Sequence, residues 1–279
     1  MLNHQEPASG LLGGDAAGPY YEVAGSGHPL VLIHAGIADS RMWDDQFHIL
    51  AQHFRVIRYD IRTFGKSKDQ PEIFSHHQDL HELLLHLGVE KTYVMGASIG
   101  GAIAIDFTIA YPAMVDGLVL VGTGIRGYRL KHLAEQDWSE LEAAYERGDY
   151  AEVVDQEVRL WVDGPGRRPD QVETSVRERV REMETANIEA GADEDAAQPL
   201  KPPAISRLRE IRAPVLLIVG EEDGPDIHEV AELLKVAIPD VTVEMMPNTA
   251  HVPNMEQPEQ FNALVLDFLS KRGVGWSGL

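Results

Sequence analysis

The chain has 279 residues, of which 44% are hydrophobic and 25% are charged, as in an ordinary soluble globular protein. It has no cysteine, which excludes disulfides, a thiolate nucleophile and cysteine-ligated metals. Acidic residues (45) outnumber basic ones (24) and give a net charge of −21, so nucleic acid and anionic membrane surfaces are not expected as partners.

Strand-like and helix-like segments alternate along the first third of the chain. The apolar run at 30–33 is typical of a strand buried on both faces, and further strands are predicted at 20–24, 54–59, 91–95 and 117–121. Apolar residues have helical spacing at 42–54, at 80–87 before Gly88, and at 99–111 before Pro112. This alternation predicts a parallel sheet with helices on both faces.

The pattern changes after the fifth predicted strand. Residues 128–208 are helical in composition, strongly acidic and poor in β-branched runs, with breaks at 164–166 and 191–193. Alternation then resumes with strands at 214–219 and 241–246 and helices at 230–236 and 258–269. We therefore predict one α/β domain in two parts, 1–127 and 209–279, separated by a helical cap at 128–208.

A Gly-x-Ser-x-Gly motif lies where the strand at 91–95 gives way to the helix at 99–111. It centres on Ser98, with Gly96 and Gly100 on either side. A sharp turn from strand to helix holds a serine in a strained, exposed position, and side chains at the two glycines would clash there. The helix N-terminus also favours negative charge beside the serine. Ser98 is therefore the candidate nucleophile.

A serine nucleophile needs a base to accept its proton and a carboxylate to orient that base. Asp223 follows the strand at 214–219, and His251 follows the strand at 241–246. Both lie at the carboxyl ends of strands, where sheets of this type open their crevice. Glu221, Glu222 and Asp226 compete with Asp223 for the acid role.

Two backbone N–H groups are expected to form an oxyanion hole. One belongs to Ile99, directly after the candidate nucleophile, and the other to Gly36, in the loop after the strand at 30–33. We expect His34 to orient this loop by hydrogen bonding.

Several motifs together resemble the α/β-hydrolase superfamily, in its small capped bacterial branch of 3-oxoadipate enol-lactonases, cofactor-free haloperoxidases and carboxylesterases. They are Tyr-Glu-Val-Ala-Gly-Ser-Gly at 21–27, His-Ala-Gly at 34–36, Met-Trp-Asp-Asp-Gln at 42–46, Asp-Ile-Arg-Thr-Phe-Gly-Lys-Ser at 60–67, the serine motif with Asp-Leu at 79–80, Gly-Glu-Glu-Asp at 220–223, Ala-His at 250–251 and Glu-Gln-Pro at 256–258. The resemblance implies a mostly parallel eight-stranded sheet, a helical cap and the chain order Ser98, Asp223, His251 for the triad. The chain departs from the usual glycines at Ala35, Thr63 and Ala250.

The function expected from these residues is hydrolysis of a small, largely apolar carboxylic ester or lactone through an acyl-enzyme. The cap is expected to act as a lid that excludes bulk water. Side chains expected to form the substrate pocket flank the motifs or lie in the cap: Met42, Trp43, Trp138, Trp161 and Val252. No cofactor and no metal are expected.

Alternatives stay open at this point. A 3-oxoadipate enol-lactonase would need a cationic pocket, which the sequence does not locate, and a perhydrolase would replace water with peroxide. A ligand receptor built on the same scaffold would keep the fold without turnover. His76, His77, His81 and His86 lack the His-Glu-x-x-His spacing of a zinc site and favour a solvated amphipathic helix.

The amino terminus has neither a basic segment nor a long apolar one, so no signal peptide is expected. No apolar run is long enough to span a bilayer. We expect a cytoplasmic protein without a membrane partner whose partner is its small-molecule substrate, with a homodimer left open as its assembly.

Overall fold

A computed structural model describes residues 7–13, 18–67, 73–193 and 197–271 of the chain. Residues 1–6, to which the expectation about a signal peptide applies, lie outside these ranges. The strands are β1 (Ala8–Leu11), β2 (Tyr20–Ala24), β3 (Pro29–Ile33), β4 (Arg55–Tyr59), β5 (Thr92–Ala97), β6 (Val115–Val121), β7 (Val215–Gly220) and β8 (Val241–Met246).

All eight strands form one sheet, in the order β1-β2-β4-β3-β5-β6-β7-β8. The pairs β1-β2 and β2-β4 are antiparallel, and the other neighbouring strands are parallel. The expectation of a mostly parallel eight-stranded sheet is therefore confirmed. β1 was not predicted, because its four residues, Ala-Ser-Gly-Leu, carry no alternating apolar pattern.

Helices cover the sheet on both sides and also occupy the segment between β6 and β7. They are α1 (Asp44–Leu50), α2 (His76–His86), α3 (Ile99–Ala110), α4 (Lys131–Glu135), α5 (Ser139–Glu146), α6 (Tyr150–Glu157), α7 (Thr174–Ala190), α8 (Pro225–Ala237), α9 (Pro253–Glu256) and α10 (Pro258–Ser270). Leu30 and Leu32 of β3 belong to one apolar cluster with α1, α10 and cap residues. Val31 and Ile33 belong to a second cluster with α2, α3 and α8. Since alternate residues of a strand point to opposite faces, the two clusters lie on opposite faces of the sheet.

Within the described residues, the chain between β6 and β7 contains helices and connecting loops but no strand, and we refer to residues 128–208 as the cap. A π-helical turn, Val158–Asp163, continues α6 and ends at Gly164, whose φ is 74°. α7 ends at Gly191, which adopts the left-handed conformation with the same φ of 74°. A glycine tolerates this conformation without a steric penalty, which explains both breaks.

Polar contacts join α7 to the loops of the core. The Asn187 side chain donates to the carbonyl of Ala38 at 3.0 Å and accepts from the N–H of Gly65 at 3.1 Å. Arg179 pairs with Asp45 of α1 at 2.7 Å. This part of the cap is therefore held against the core by specific bonds.

The histidines of α2 differ in part from the sequence expectation. His76 and His77 are buried, with 6% and 7% of their surface exposed, rather than solvated. The helix begins at His76, four residues before the predicted start, and the His76 ring packs edge-on against Phe74. Within the described residues, no helix is long and apolar enough to cross a membrane.

Candidate active site

The turn between β5 and α3 holds Ser98 in a strained backbone conformation. Its φ of 53° and ψ of −116° lie where residues with a side chain are rarely found. A Cβ on Gly96 would lie 2.2 Å from the carbonyl oxygen of Gly100, and a Cβ on Gly100 would lie 2.4 Å from that of Ile33. The two motif glycines are therefore required for the turn to pack against the sheet.

Asp223 and His251 form a buried hydrogen-bonded pair. Nδ1 of His251 lies 2.9 Å from Oδ2 and 3.1 Å from Oδ1 of Asp223, and 2% and 5% of the surfaces of His251 and Asp223 are exposed. The Gly224 N–H also donates to Oδ1, at 2.7 Å. A carboxylate on Nδ1 keeps the proton of a neutral imidazole on that nitrogen, which leaves Nε2 able to accept another.

The structure distinguishes Asp223, which contacts His251, from Asp226, one of the acidic residues proposed as alternatives to it. Asp226 accepts the N–H groups of His132 and Leu133 at 3.1 and 2.8 Å, at the start of α4. Its carboxylate is thus engaged in holding a cap helix, while Asp223 contacts the histidine.

Gly122 is a site residue that the sequence reasoning missed. It follows β6 with a φ of 48°, and a Cβ there would lie 3.1 Å from Nδ1 of His251 and 3.2 Å from Oδ2 of Asp223. A side chain at this position would therefore press on the Asp–His pair. The available signal was a glycine directly after a buried strand, between the strands that precede Ser98 and Asp223.

A cavity of about 430 Å³ brings the candidate catalytic groups together. Ser98, His251, Gly36 and Ile99 all line it. Nε2 of His251 is buried and has no hydrogen-bond partner in the described part of the chain. The candidate nucleophile, the candidate base and the expected oxyanion residues therefore share one space, and Asp223 contacts the candidate base from behind.

The loop after β3 is fixed by His34, which is fully buried. Nε2 of His34 accepts from the N–H of Ile61 at 2.9 Å, so Nδ1 carries the proton and donates to the carbonyl of Ala35 at 2.8 Å. Burial lowers the pKa of His34, which favours this neutral form. The Ala35 N–H donates to Sδ of Met42 at 3.2 Å. Gly36 and Ile37 are the residues of this loop that line the cavity.

Three residues expected in the pocket lie elsewhere. Met42, Trp43 and Val252 are fully buried in the apolar cluster that includes α1 and α10, and none of them lines the cavity. The Trp43 ring packs 6.2 Å from that of Phe261, because the turn at Ser40–Trp43 directs Met42 and Trp43 into the core. The prediction that these three residues line the pocket, which rested on their closeness to the motifs in sequence, is therefore wrong.

Trp138 and Trp161 of the cap do line the cavity. The Trp161 ring lies 4.5 Å from the His251 ring, centroid to centroid. The remaining wall is mostly apolar, with contributions from Ile125, Leu133, Leu160 and Ile227 among others. It also contains charged residues, namely Arg126, Glu157 and Glu184. Within the described ranges, no cluster of histidine and acidic residues is arranged to hold a metal ion.

Comparisons with known proteins identify the family to which the fold belongs. A family model described as alpha/beta hydrolase fold matches residues 28–258. A pimeloyl-[acyl-carrier protein] methyl ester esterase from Nitrosospira multiformis is 30% identical over 265 residues, which cover 89% of this chain and 97% of that protein.

Two solved structures are similar over nearly their whole length. A thermophilic esterase from Thermogutta terrifontis has a TM-score of 0.77 at 25% identity, covering 96% of this chain and 99% of the other. An N-acyl homoserine lactone degrading enzyme has a TM-score of 0.74 at 25% identity, covering 91% and 98%.

Proposed function

Because the chain belongs to the alpha/beta hydrolase fold family, we propose that it is a serine hydrolase that cleaves a small, largely apolar carboxylic ester or lactone through an acyl-enzyme. One observation carries this proposal. Asp223 occupies Nδ1 of His251, whereas Nε2 has no partner among the described residues and the ring lines the same cavity as Ser98. This arrangement suits a base that must accept the serine proton.

In the first half of the reaction, Nε2 of His251 accepts the proton of Ser98 as Oγ attacks the substrate carbonyl. The N–H groups of Gly36 and Ile99 donate to the oxyanion of the tetrahedral intermediate. The intermediate collapses, and the alcohol leaves with the proton from Nε2. Asp223 stabilises the imidazolium that exists between these two steps.

In the second half, His251 accepts a proton from water, which attacks the acyl-enzyme. The tetrahedral intermediate that follows collapses to the free carboxylic acid, and Nε2 returns its proton to Oγ of Ser98. With a lactone, the alcohol and the acid are parts of one product, so ring opening needs no other group.

The cavity supports a small neutral substrate. A volume of about 430 Å³ lined mostly by apolar side chains suits a short acyl chain. Two carboxylates, Glu157 and Glu184, against one guanidinium, Arg126, disfavour a substrate that carries its own carboxylate. A 3-oxoadipate enol-lactone is such a substrate, and this charge balance therefore ranks it below neutral esters.

The relatives support the two bond types in this proposal. The Nitrosospira relative is named for a methyl ester, and this suits a small alcohol as the leaving group. The lactone-degrading relative keeps a neutral lactone as the second candidate substrate. Both reactions would use the same triad and differ in the shape of the pocket.

The test is hydrolysis of p-nitrophenyl acetate, butyrate and octanoate, and of a neutral lactone, by the wild type and three variants. Ser98→Ala and His251→Gln are expected to lose roughly 10⁴-fold in kcat, because each removes a member of the triad. Ser206→Ala, at an exposed serine, is the matched control and should retain full activity.

Labelling by a fluorophosphonate gives an independent readout, since it needs an activated serine and no cognate substrate. Wild type and Ser206→Ala should be labelled, and Ser98→Ala should not. A folded wild type that neither turns over these substrates nor reacts with the probe would refute the proposal and favour a receptor. Turnover only in the presence of peroxide would favour a perhydrolase.

A further inference from the structure

Glu256 supports the loop that carries His251. One of its carboxylate oxygens, Oε1, accepts the N–H of Ala250, the residue directly before His251, at 2.7 Å. The other, Oε2, accepts from Nη1 of Arg167 at 2.6 Å. Only 7% of the Arg167 side chain and 6% of the Glu256 side chain are exposed, so this is a buried ion pair.

Arg167 contacts the cap and the His251 loop at the same time. Its Nε and Nη2 donate to the carbonyls of Asp163 and Val162, at 2.8 and 2.7 Å, at the end of the π-helical turn. Its Nη1 donates to the carbonyl of Asn248 at 2.9 Å in addition to Glu256. All three guanidinium nitrogens are used, on two segments of the chain that are far apart in sequence.

The same π-helical turn touches His251 directly. The His251 N–H donates to the carbonyl of Trp161 at 3.2 Å, and the Trp161 indole lies 4.5 Å from the imidazole. Arg177 pairs with the nearly inaccessible carboxylate of Asp163 at 2.8 Å and so anchors the end of this turn to α7. The backbone on which Arg167 acts is therefore continuous with the backbone that contacts the histidine.

We propose that Arg167 is a positioning residue for His251: it joins the cap turn Val158–Asp163 to the loop at 248–251 and thereby fixes the orientation of the imidazole toward Ser98. Its catalytic consequences rest on the serine hydrolase function proposed above. A guanidinium suits this role, because its planar fork reaches several acceptors in fixed directions. A lysine would keep the charge beside Glu256 but could not bond to all four oxygens.

A purely structural role would look different. Arg167 would then serve only to neutralise the buried carboxylate of Glu256. In that case, a variant that also removes the charge of Glu256 would recover wild-type kcat. Burial raises the pKa of Glu256, and the nearby Asp223 adds to this effect, so an unpaired Glu256 would be unfavourable. The experiment must therefore separate charge balance from positioning.

The primary variant is Arg167→Lys, which keeps the charge and should fold. Its matched control is Arg168→Lys at the adjacent residue, whose side chain is 72% exposed and pairs only with Asp170 in the described structure. We expect Arg167→Lys to lower kcat for a p-nitrophenyl ester roughly tenfold with KM within about twofold, because a small shift of the base slows chemistry more than binding. Fluorophosphonate labelling should slow by the same factor, and the control should match wild type.

The double variant Arg167→Met/Glu256→Gln removes both charges and tests the structural alternative. The amide oxygen of the introduced glutamine could still accept the Ala250 N–H, so folding should be retained. Positioning predicts that the double variant is stable but remains slow. Recovery of wild-type kcat and labelling rate in the double variant would overturn the proposal, as would a folded Arg167→Lys that is unchanged in both.

A spectroscopic readout keeps this result independent of the proposed function. The NMR resonance of the His251 Nδ1 proton, assigned by its loss in His251→Gln, reports the bond to Asp223 without any substrate. We expect it to shift or broaden in Arg167→Lys and to stay unchanged in Arg168→Lys. If the wild type proves to have no hydrolase activity, an unchanged resonance in Arg167→Lys would still refute positioning, and a shifted one would support it.

Discussion

Two residues at or within α3 are energetically unfavourable, one through its backbone conformation and the other through the burial of its carboxylate. Ser98 has a strained backbone with a positive φ, as described above. Asp106 lies in the interior of the helix with 5% of its surface exposed. Strain at Ser98 is part of how such a turn exposes its side chain, whereas the carboxylate of Asp106 has no place in the proposed mechanism.

Burial raises the pKa of Asp106 to about 6, although the charges of Arg126 and Arg207 and the N–H of Leu200 act in the opposite direction. Between its usual pKa of 3.8 and this value, the folded protein binds more protons at Asp106 than the unfolded chain does. The free energy of unfolding therefore falls as the pH rises through this range and stays at the lower level above it.

Asp106→Asn should stabilise the fold at pH 7.5 by about 1–2 kcal/mol, because the amide resembles the protonated acid and does not ionise. The gain should shrink as the pH is lowered toward 4.5. Urea unfolding at both pH values measures it. Asp267→Asn, at a carboxylate whose side chain is 62% exposed, is the control and should change stability little at either pH. A loss of stability at pH 7.5 would show that the ionised form is the favoured one.

The contacts between elements account for how the cap is held. Asn187, with 1% of its surface exposed, bonds from α7 to two core loops, the one after β3 at Ala38 and the one after β4 at Gly65. Thr63 replaces a family glycine in the second loop, keeps a φ of 78°, and bonds through its hydroxyl to the cap residue Asp193. The hydrogen bond between Thr63 and Asp193 thus offsets the backbone strain of a threonine at a position where the family has glycine.

Removing the Asn187 side chain should have consequences for both stability and chemistry. Asn187→Ala leaves the buried carbonyl of Ala38 without its partner and removes the acceptor of the Gly65 N–H, at a cost of about 2 kcal/mol in the free energy of unfolding. Because Ala38 belongs to the loop that carries Gly36, kcat should fall as well. Glu189→Ala, at an exposed position of the same helix, should leave both unchanged. Equal unfolding midpoints for the two variants would argue that the Asn187 bonds do not hold the cap against the core.

Elements with a strong local pattern could be predicted from the sequence. The strand Val241–Met246 has the predicted bounds, and the turn at Ser98 follows from a motif whose two glycines have a steric reason. β1 has no such pattern and is defined by its pairing with β2. Met42 and Trp43 were misplaced because a motif gives the position of the backbone and not the direction of the side chains. Arg167 and Glu256, separated by 89 positions, carry no signal that would link them before folding.

The whole molecule carries a net charge of −21, which opposes compaction. Raising NaCl from about 0.01 to about 0.1 M shortens the Debye length from about 30 to about 10 Å and screens this repulsion. We therefore expect stability to increase by about 1 kcal/mol, or about 3 °C in Tm at constant pH. Calorimetry in the two salt concentrations measures the change. A lower Tm at the higher concentration would show that attraction within the surface ion pairs outweighs the net repulsion.

The position of the cap between β6 and β7 has a consequence for recombination between relatives. A single continuous segment carries Trp138, Trp161 and the acidic wall of the cavity, while Ser98, Asp223 and His251 all lie outside it. By topology alone, grafting another hydrolase's cap onto this core would require only two junctions. Arg167 makes the exchange less simple, because a donor cap without an equivalent arginine would leave Glu256 buried and unpaired, at a cost of about 3–5 kcal/mol. A working chimera would have to inherit both members of that pair, one on each side of the second junction.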